Sequence, residues 1–442
     1  MKRHKYPLHS RRAFLRVALG GTVGPMLLPP THLWASGNLG YSGKLLVTLQ
    51  LDGGADVTQL CDPKTNTRGE PPINHWAETR DPVQIGNLRY APVADNERLF
   101  SRFGADMLVV NGVDSQTNSH ETGKIYNWTG SNTEGRPSLS ALHAAYTAPE
   151  QPLSYSVYGG TSRTAGIIGY NRFDNLENLR SLSKPHANPW DGRPKRPKAE
   201  LDGAYGIVEH EVARLLSNPS LSVRQRLNIA RFSQARESRT NLEVLAELIP
   251  SEDQIMRRED LFAGGQNLSS DLKQQMQGAL LVFKSGLGSA ADLGLGGFDS
   301  HENHDEVHEV LFGHLTDALF FFWDLAEELG IADRILMVIG SDFGRTNFYN
   351  EGNGKDHWPI GSYMIIERGA PWGDRTVGVT DALHFAQPLD PKTLKQSSRG
   401  ITLTPGHVNQ ALRHYLGLGE FSETLGHPLQ EESLPLFDPF VG

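Results

Sequence analysis

The sequence predicts an α/β fold in which a mainly parallel central sheet is covered by helices on both faces. Four continuous apolar runs are typical of strands that are buried on both sides. Segments with helical periodicity lie between them along the chain, and polar clusters rich in Asp and His follow the runs. The chain has 442 residues, which gives room for one large α/β domain or two smaller ones.

The four apolar runs predict the main strands of the sheet. They span residues 44–51 (KLLVTLQL), 106–111 (DMLVVN), 333–341 (DRILMVIGS) and 362–367 (SYMIIE). In open α/β sheets, ligands bind at the carboxyl ends of the strands. Residues directly after these runs, such as Asp52, are therefore candidates for a functional site.

Two segments are predicted to be helical. The first, residues 305–330, precedes the third strand and predicts a long amphipathic helix. Its apolar residues recur at helical spacing: Leu315, Leu319, Phe322, Ala326 and Leu329. The second segment, from about residue 204 to 284, combines helical periodicity with many charged residues. We interpret it as a helical insertion in the main domain.

The first 35 residues have the layout of an export signal, with a basic start, a modestly apolar middle and a cleavage position at Ala35. Residues 10–16 (SRRAFLR) closely resemble the twin-arginine signal, which routes folded bacterial proteins out of the cytoplasm. The alternative is a basic amphipathic surface helix. We expect a signal peptide over residues 1–35, export by the twin-arginine machinery, and a mature domain over residues 36–442 in the periplasm or outside the cell.

Charge and composition exclude several classes of partner. Residues 1–35 contain six Lys or Arg and no acidic residue, so the remaining chain carries 36 basic and 51 acidic residues, a net charge of −15. Nucleic acid is not an expected partner, because phosphate binding needs a clustered basic surface. The single cysteine, Cys61, cannot form an internal disulfide. No segment of the mature chain has the roughly 18 consecutive apolar residues of a membrane span.

Four polar clusters follow apolar runs or a Gly-rich segment. They span residues 52–56 (DGGAD), 115–122 (SQTNSHET), 299–308 (DSHENHDEVH) and 342–357, the last of which contains Asp342, Arg345, Asp356 and His357. If the sheet is parallel, the clusters converge at one edge. Carboxylates and imidazoles together suit a divalent metal, with zinc as the first expectation and manganese or calcium as alternatives.

Each cluster also has a purely structural explanation. Asp52 suits an Asx turn. The histidines of residues 301–308 suit caps or solvated groups at a helix start. Asp342 and Arg345 suit an ion pair within a loop. The recurrence of such clusters after several predicted strands is what favours a shared site.

As a set, the motifs resemble a known family. LDGGAD, NSHETGKIYNWTG, GFDSH followed by a long helix, GSDFGRT and NEGNGKDHW occur in this order between about residues 42 and 417. They are similar to motifs of a twin-arginine-exported bacterial family of unknown function related to the alkaline phosphatase and sulfatase superfamily. The resemblance implies an alkaline-phosphatase-like fold. It also implies metal ligands at the matching positions, which are Asp52, Asp299, His301, Asp342 and His357.

One ligand position of the superfamily is different in this chain. Where superfamily hydrolases usually carry Asp followed by His, this chain has Asp342 followed by Phe343. The place of the missing ligand would then fall to one of three residues, which are His120, His304 and Asp356. Gly and Asn residues between Asp342 and His357 predict a sharp return of the chain that brings both side chains to one ion.

The expected function is that of an exported metal-dependent hydrolase of phosphate or sulfate esters, acting on a small-molecule or glycan ester. The resemblance implies a Ser or Thr nucleophile at a helix start, for which Ser119 fits best and Thr122 next, with a metal-bound water as the alternative nucleophile. Arg345 is expected to neutralise the non-bridging oxygens of the ester. The competing expectation is a non-catalytic exported binding or assembly protein that retains the fold with a degenerate metal centre.

Overall fold

The computed structural model describes residues 40–184, 186–188, 193–222, 224–226, 228–229, 232–233 and 239–441. The predicted export signal over residues 1–35 lies outside these described residues. Within the described ranges, the structure contains no helix with the length and apolar character that a membrane crossing requires.

Sixteen strands occur in the described part of the chain. In chain order they are β1 (Leu45–Leu51), β2 (Val83–Ile85), β3 (Leu88–Tyr90), β4 (Met107–Asp114), β5 (Tyr155–Val157), β6 (Asn171–Arg172), β7 (Phe262–Ala263), β8 (Gln266–Asn267), β9 (Ala290–Leu295), β10 (Ile335–Ser341), β11 (Gly344–Arg345), β12 (His357–Trp358), β13 (Ile360–Glu367), β14 (Arg375–Val377), β15 (Val379–Thr380) and β16 (Ala386–Gln387). The central sheet has eight strands in the order β14-β4-β13-β10-β1-β9-β5-β6. The other strands form short two-stranded ribbons, which are β2-β3, β7-β8, β11-β12 and β15-β16.

The α-helices of the same described ranges follow in chain order. They are α1 (Asn96–Phe103), α2 (His120–Thr129), α3 (Leu139–Thr147), α4 (Leu176–Ser183), α5 (Lys198–Leu216), α6 (Arg239–Leu248), α7 (Leu272–Lys284), α8 (His304–Glu328), α9 (Pro405–Tyr415) and α10 (Gly419–Thr424).

The central sheet is mainly parallel. The strands β10, β1, β9, β5 and β6 pair in parallel from one to the next, and β14 is parallel to β4. The exception is β13, which is antiparallel to both β10 and β4. The chain between β10 and β13 returns through the β11-β12 ribbon without a crossover helix, and such a connection joins antiparallel strands. The predicted α/β class with a mainly parallel sheet is confirmed.

Helices cover the sheet on both faces. Successive residues of β1 point to opposite sides, so Leu45, Val47 and Leu49 belong to one core cluster and Leu46 to another. The first cluster also contains buried residues of α1, α7 and α8, and the second contains residues of α3 and α9. Because β1 is buried on both faces, its sequence is a continuous apolar run and not an alternating one.

The long helix predicted before the third strand is α8. It begins at His304 and ends at Glu328. The side that carries Leu315, Leu319 and Phe322 is fully buried, as its 3.6-residue period predicts. The first residue of α8, His304, contacts Asp56 in the loop that follows β1.

The predicted helical insertion joins two different kinds of helix. No residue of α5 is buried, whereas most residues of α7 are buried in the core. The last part of residues 204–284 therefore belongs to the packed layer that covers the sheet. That the remainder is a separate insertion stays a prediction.

One buried histidine on α3 gives the fold a defined response to acid. His143 is fully buried, and its Nε2–H donates to the carbonyl oxygen of Lys44 at 2.9 Å. Burial lowers the pKa of His143 to about 4, because the charged imidazole would lose its hydration. Below the ordinary histidine pKa of about 6.5, the unfolded chain therefore binds a proton that the folded chain does not.

We expect this stabilisation to be complete above pH 6.5 and to be lost as the pH falls towards 4. In His143→Gln, whose amide can donate to the same carbonyl without titrating, the free energy of unfolding should fall less steeply with pH. Urea unfolding of both proteins between pH 7 and pH 5 measures the difference. Identical slopes would contradict a neutral, buried His143.

Candidate metal centre

Four chain segments meet at the carboxyl edge of the central sheet. The strands β1, β9 and β10 are parallel, and β4 runs in the same direction because β13 is antiparallel to both β4 and β10. The polar residues that follow these strands therefore emerge at one edge: Asp52, His120, Asp299 and Asp342.

Three side chains of the types that commonly bind metals lie close together at this edge. Ring nitrogens of His120 and His357 and a carboxylate oxygen of Asp299 all lie within 4.8 Å of one another. The Nε2 atoms of His301 and His357 are each 3.1 Å from Asp299 Oδ1, and Nε2 of His120 is 3.5 Å from Asp299 Oδ2. Three imidazoles thus direct their Nε2 atoms at one carboxylate.

Each of these three rings is held through its Nδ1 atom. The pairs are His120 with the Asp342 carboxylate (2.5 Å), His301 with the Asp356 carboxylate (2.8 Å) and His357 with the carbonyl oxygen of Asn118 (2.9 Å). Carboxylates and carbonyls only accept, so Nδ1 carries the proton and Nε2 of the neutral ring carries the lone pair. Histidines that ligate metals have this arrangement, since such partners orient the ring and raise its basicity.

The Nε2 atoms that face the Asp299 carboxylate need a cation or additional protons beside them. Nε2 of His120 is buried and makes no hydrogen bond to any described residue. In their neutral forms, His301 and His357 turn lone pairs toward the negative Asp299. The hydrogen bond that His120 donates to the Asp342 carboxylate raises the pKa of His120, which is one way to supply a proton. Imidazole nitrogens with a carboxylate oxygen are also a usual donor set for zinc, so these residues fit a divalent metal.

Arg345 lies beside this cluster and is fully buried. Its guanidinium donates to Asp299 Oδ1 at 2.6 Å. Each of its nitrogens also donates to a backbone carbonyl, and the acceptors are Gly53, Gly54 and Lys355. Partial burial alone would raise the pKa of Asp299, but the contacts with Arg345 and His357 outweigh it and lower this pKa to about 2.

The contacts of Arg345 favour a structural role, and its predicted role towards a substrate stays a prediction. The sequence predicts a guanidinium that faces a substrate anion. In the structure it holds the loop after β1 and the loop after β11 together, because all of its nitrogens donate to protein acceptors. Sequence alone cannot separate these roles, since a buried arginine and a ligand-binding arginine have the same surroundings along the chain.

Asp342 lies behind the cluster and does not face Asp299. It is buried, and one oxygen accepts the proton of His120 Nδ1. The other accepts from the backbone N–H groups of Gly53 (3.2 Å) and Gly54 (2.8 Å). Both glycines have positive φ, and a Cβ on Gly53 would collide with the backbone of Asp299, which explains the Gly-Gly pair in the sequence.

Asp52 is paired with a lysine. Its Oδ1 is 3.2 Å from Nζ of Lys124 on α2. Among the predicted metal ligands, the structure thus brings together Asp299, His301 and His357. His120, which the sequence suggests only as one of three replacements for a missing ligand, also faces Asp299.

The two candidate nucleophiles lie at the start of α2. Ser119 is the residue before the helix and is exposed, and its hydroxyl forms no capping hydrogen bond. Thr122 is half-buried one turn further on. Ser119 lies between Asn118, which accepts from His357, and His120. By contrast, Cys61 is buried, and burial raises the pKa of its thiol to about 12, which disfavours the reactive thiolate.

Phe343 occupies the position where the family resemblance implies a histidine. Its ring is buried and packs against the rings of His120 and His357, at centroid distances of 4.7 and 4.6 Å. Phe343 therefore supports two candidate ligands from below.

A second polar cluster lies beneath the first, and the sequence does not predict it. It consists of Asp56, Ser300, His304, His308 and Lys355, all of them buried. Nζ of Lys355 is 2.6 Å from Asp56 Oδ2, and Nε2 of His304 donates to the same oxygen at 2.9 Å. Burial lowers the pKa of His304, which keeps this ring neutral. The sequence contains one signal for the second cluster, which is the spacing of three and four residues between His301, His304 and His308. That spacing does not indicate that His301 belongs to the first cluster and the other two histidines to the second.

We predict that Arg345 is required for stability. Arg345→Met keeps the length of the side chain but leaves the buried carbonyls without their donor, so it should cost at least about 1–3 kcal/mol. Arg345→Lys should not restore stability, because an ammonium cannot reproduce the planar fork. Denaturant unfolding measures both. Arg214→Met, which breaks an exposed ion pair with Glu211, is the control and should be neutral. An Arg345→Met protein as stable as wild type would show that the guanidinium does not hold the loops.

The sequence matches one protein-family model. Residues 223–418 match the family described as protein of unknown function DUF1501. This range includes the cluster residues Asp299, His301 and His357. A comparison with curated proteins finds no match.

Solved structures that match most of this chain have low sequence identity and low TM-scores. A phosphonate monoester hydrolase of Agrobacterium radiobacter is 11% identical, with a TM-score of 0.34 over 85% of this chain and 74% of the other. A mutant of TAB5 alkaline phosphatase with bound Mg is 10% identical, with a TM-score of 0.31 over 76% and 95% of the two chains. Ps i-CgsB in complex with k-i-k-neocarrahexaose is 6% identical, with a TM-score of 0.40 over 90% and 76%. These resemblances assign no activity to this chain.

Proposed function

We propose that this protein is an exported, metal-dependent hydrolase of phosphate or sulfate esters. The observation that carries the proposal is the convergence of three Nε2 atoms on the carboxylate of Asp299, each ring being fixed through Nδ1. A purely structural cluster has no need to orient three lone pairs toward a negative group. We expect the export signal over residues 1–35 to deliver the folded chain to the periplasm or the cell exterior.

His120, His357 and Asp299 would hold one divalent metal, with His301 as a further ligand. Zinc is the first choice, because its usual donors are imidazole nitrogen and carboxylate oxygen, and manganese or calcium are alternatives. The metal would supply positive charge for the oxygens of the ester group. Asp342, Asp356 and the carbonyl of Asn118 keep the rings oriented.

Ser119 is the proposed nucleophile, with Thr122 or a water molecule as the alternatives. Its hydroxyl is exposed and is not used to cap α2, so it remains available for reaction. The N-terminus of α2 carries partial positive charge, which favours an anionic group at Ser119. Attack on phosphorus or sulfur would release the alcohol, and water would then cleave the ester formed on the serine. The substrate class is a small-molecule or glycan ester that carries a negative charge.

A second candidate is a non-catalytic exported binding or assembly protein. The observation that favours it is the ion pair between Arg345 and Asp299, with Nη2 at 2.6 Å from Oδ1. This contact already offsets the charge of the carboxylate and occupies one of its oxygens. In this case the cluster is a degenerate metal centre, and the protein binds its ligand without turnover.

Metal content and turnover separate the two candidates. We expect one equivalent of zinc per chain in the wild type, strongly reduced in His120→Ala and His357→Ala, and retained in Asp52→Asn. Ser119→Ala should retain the metal and lose at least about 100-fold in kcat on aryl phosphates or aryl sulfates. Thr122→Ala is the matched control and should keep most of the activity.

Elemental analysis and a panel of aryl esters provide these measurements. A wild-type protein that binds metal but turns over none of the esters would favour the binding protein. A protein that holds no metal and hydrolyses esters equally well after Ser119→Ala would sink the proposal.

A further inference from the structure

The buried cluster beneath the candidate metal centre has the donors of a cation site. Asp56 offers a carboxylate, His304 an imidazole and Thr58 a hydroxyl, and all three side chains are buried. These are donor types that divalent metals accept. The ammonium group of Lys355 contacts Asp56 and Thr58, and His304 contacts the same carboxylate oxygen of Asp56.

The ammonium is closely surrounded by these groups. Its Nζ is 2.6 Å from Asp56 Oδ2, 3.5 Å from Thr58 Oγ1 and 4.9 Å from the ring centroid of Tyr349. Both members of the ion pair are 0% exposed. A buried carboxylate requires a positive partner, because an isolated charge in this position would cost several kcal/mol of lost hydration.

The remaining hydrogen bonds of the cluster are complete. Oδ1 of Asp56 accepts from the backbone N–H and the hydroxyl of Thr58. The backbone N–H of Asp56 donates to Nε2 of His308, so the Nδ1–H of His308 donates to Ser300 Oγ at 3.2 Å. The Ser300 hydroxyl then donates to Nδ1 of His304 at 2.9 Å. Lys355 is therefore the only cation that this network needs.

The same two segments carry both the upper and the lower cluster. Ser300 lies between Asp299 and His301, and its side chain points into the buried network. Lys355 directly precedes Asp356 and His357, and its N–H donates to the carbonyl of Ser300 at 3.3 Å. A Cβ on Gly354 would collide with the carbonyl of His301, so the two segments are in close backbone contact. Fixing Lys355 on Asp56 thus fixes the segments that carry Asp299, His301 and His357.

We propose that Lys355 is a built-in cation that fills a second, buried cation site formed by Asp56, His304 and Thr58. In consequence the protein takes up one exchangeable divalent metal and not two, and the ligand-bearing loop stays in place when that metal is absent. The inference deepens the proposed function and rests on it for the first equivalent of metal. The test of the buried site compares the Co2+ content of a variant with that of the wild type, and this difference does not depend on whether the upper metal centre binds metal.

The test is to empty the buried site. Lys355→Ala removes the ammonium and leaves space beside Asp56. His304 can then offer its Nε2 lone pair, with Nδ1–H donating to Ser300. Purified from cells grown with Co2+, Lys355→Ala should contain one more equivalent of Co2+ than the wild type. Its refolding yield should also gain more from Co2+, compared with EDTA, than that of the wild type.

Lys355→Met is the matched control. Its side chain fills most of the same space without charge, so it should gain no Co2+ over the wild type. Its refolding yield should also gain no more from Co2+, compared with EDTA, than that of the wild type. A Lys355→Ala protein that contains no additional Co2+, or whose refolding yield gains no more from Co2+ than that of the wild type, would overturn the inference. So would a Lys355→Met protein that gains the same equivalent.

The experiment also distinguishes this inference from the proposed function. If the wild type binds no Co2+ at all, the proposed metal centre fails, but the gain in Lys355→Ala over the wild type still decides on the buried site. If the wild type binds one equivalent of Co2+ and Lys355→Ala binds no more, the result supports the proposed metal centre and contradicts the inference about Lys355.

Discussion

The buried ion pair between Asp56 and Lys355 is the interaction on which the candidate site depends. It joins the loop after β1 to the loop after β11, and His304 connects both to the start of α8. Removing two charges from water is costly, and this cost is offset because the carboxylate accepts four hydrogen bonds. Breaking such a pair by losing one partner typically costs about 3–5 kcal/mol. The geometry of the edge therefore depends on groups that no ligand can touch.

Above this ion pair, the two ligand-bearing segments alternate between the interior and the edge. Ser300 and Lys355 point inward, whereas Asp299, His301 and His357 meet at the edge. Arg345 supports the same arrangement from the side, since it ties both loops to Asp299. A site whose supporting residues are locked by packing and hydrogen bonds keeps its geometry without a ligand. This rigidity explains how three histidines can be held facing one carboxylate.

The sequence predicts the features that follow from local pattern. Strands buried on both faces are continuous apolar runs, and α8 follows a helical period, so both are recognisable. Polar residues after parallel strands indicate the edge of the sheet, which brings Asp299, His301 and His357 into consideration. The sequence cannot assign roles among similar residues. Whether Asp52 faces a metal or Lys124, and whether Arg345 binds an anion or the backbone, depends on contacts between segments some 70 to 290 residues apart. The direction of β13 likewise depends on how its connection to β10 folds.

The most direct test of the proposed metal centre is a crystal structure of the zinc-loaded protein with anomalous diffraction at the zinc edge. We predict one anomalous peak, at about 2.0–2.2 Å from Nε2 of His120, Nε2 of His357 and a carboxylate oxygen of Asp299. Lys355 should remain on Asp56, with no peak between them. A zinc ion bound by Asp52 or Asp342, or no bound zinc in a crystal grown at saturating concentration, would contradict this assignment.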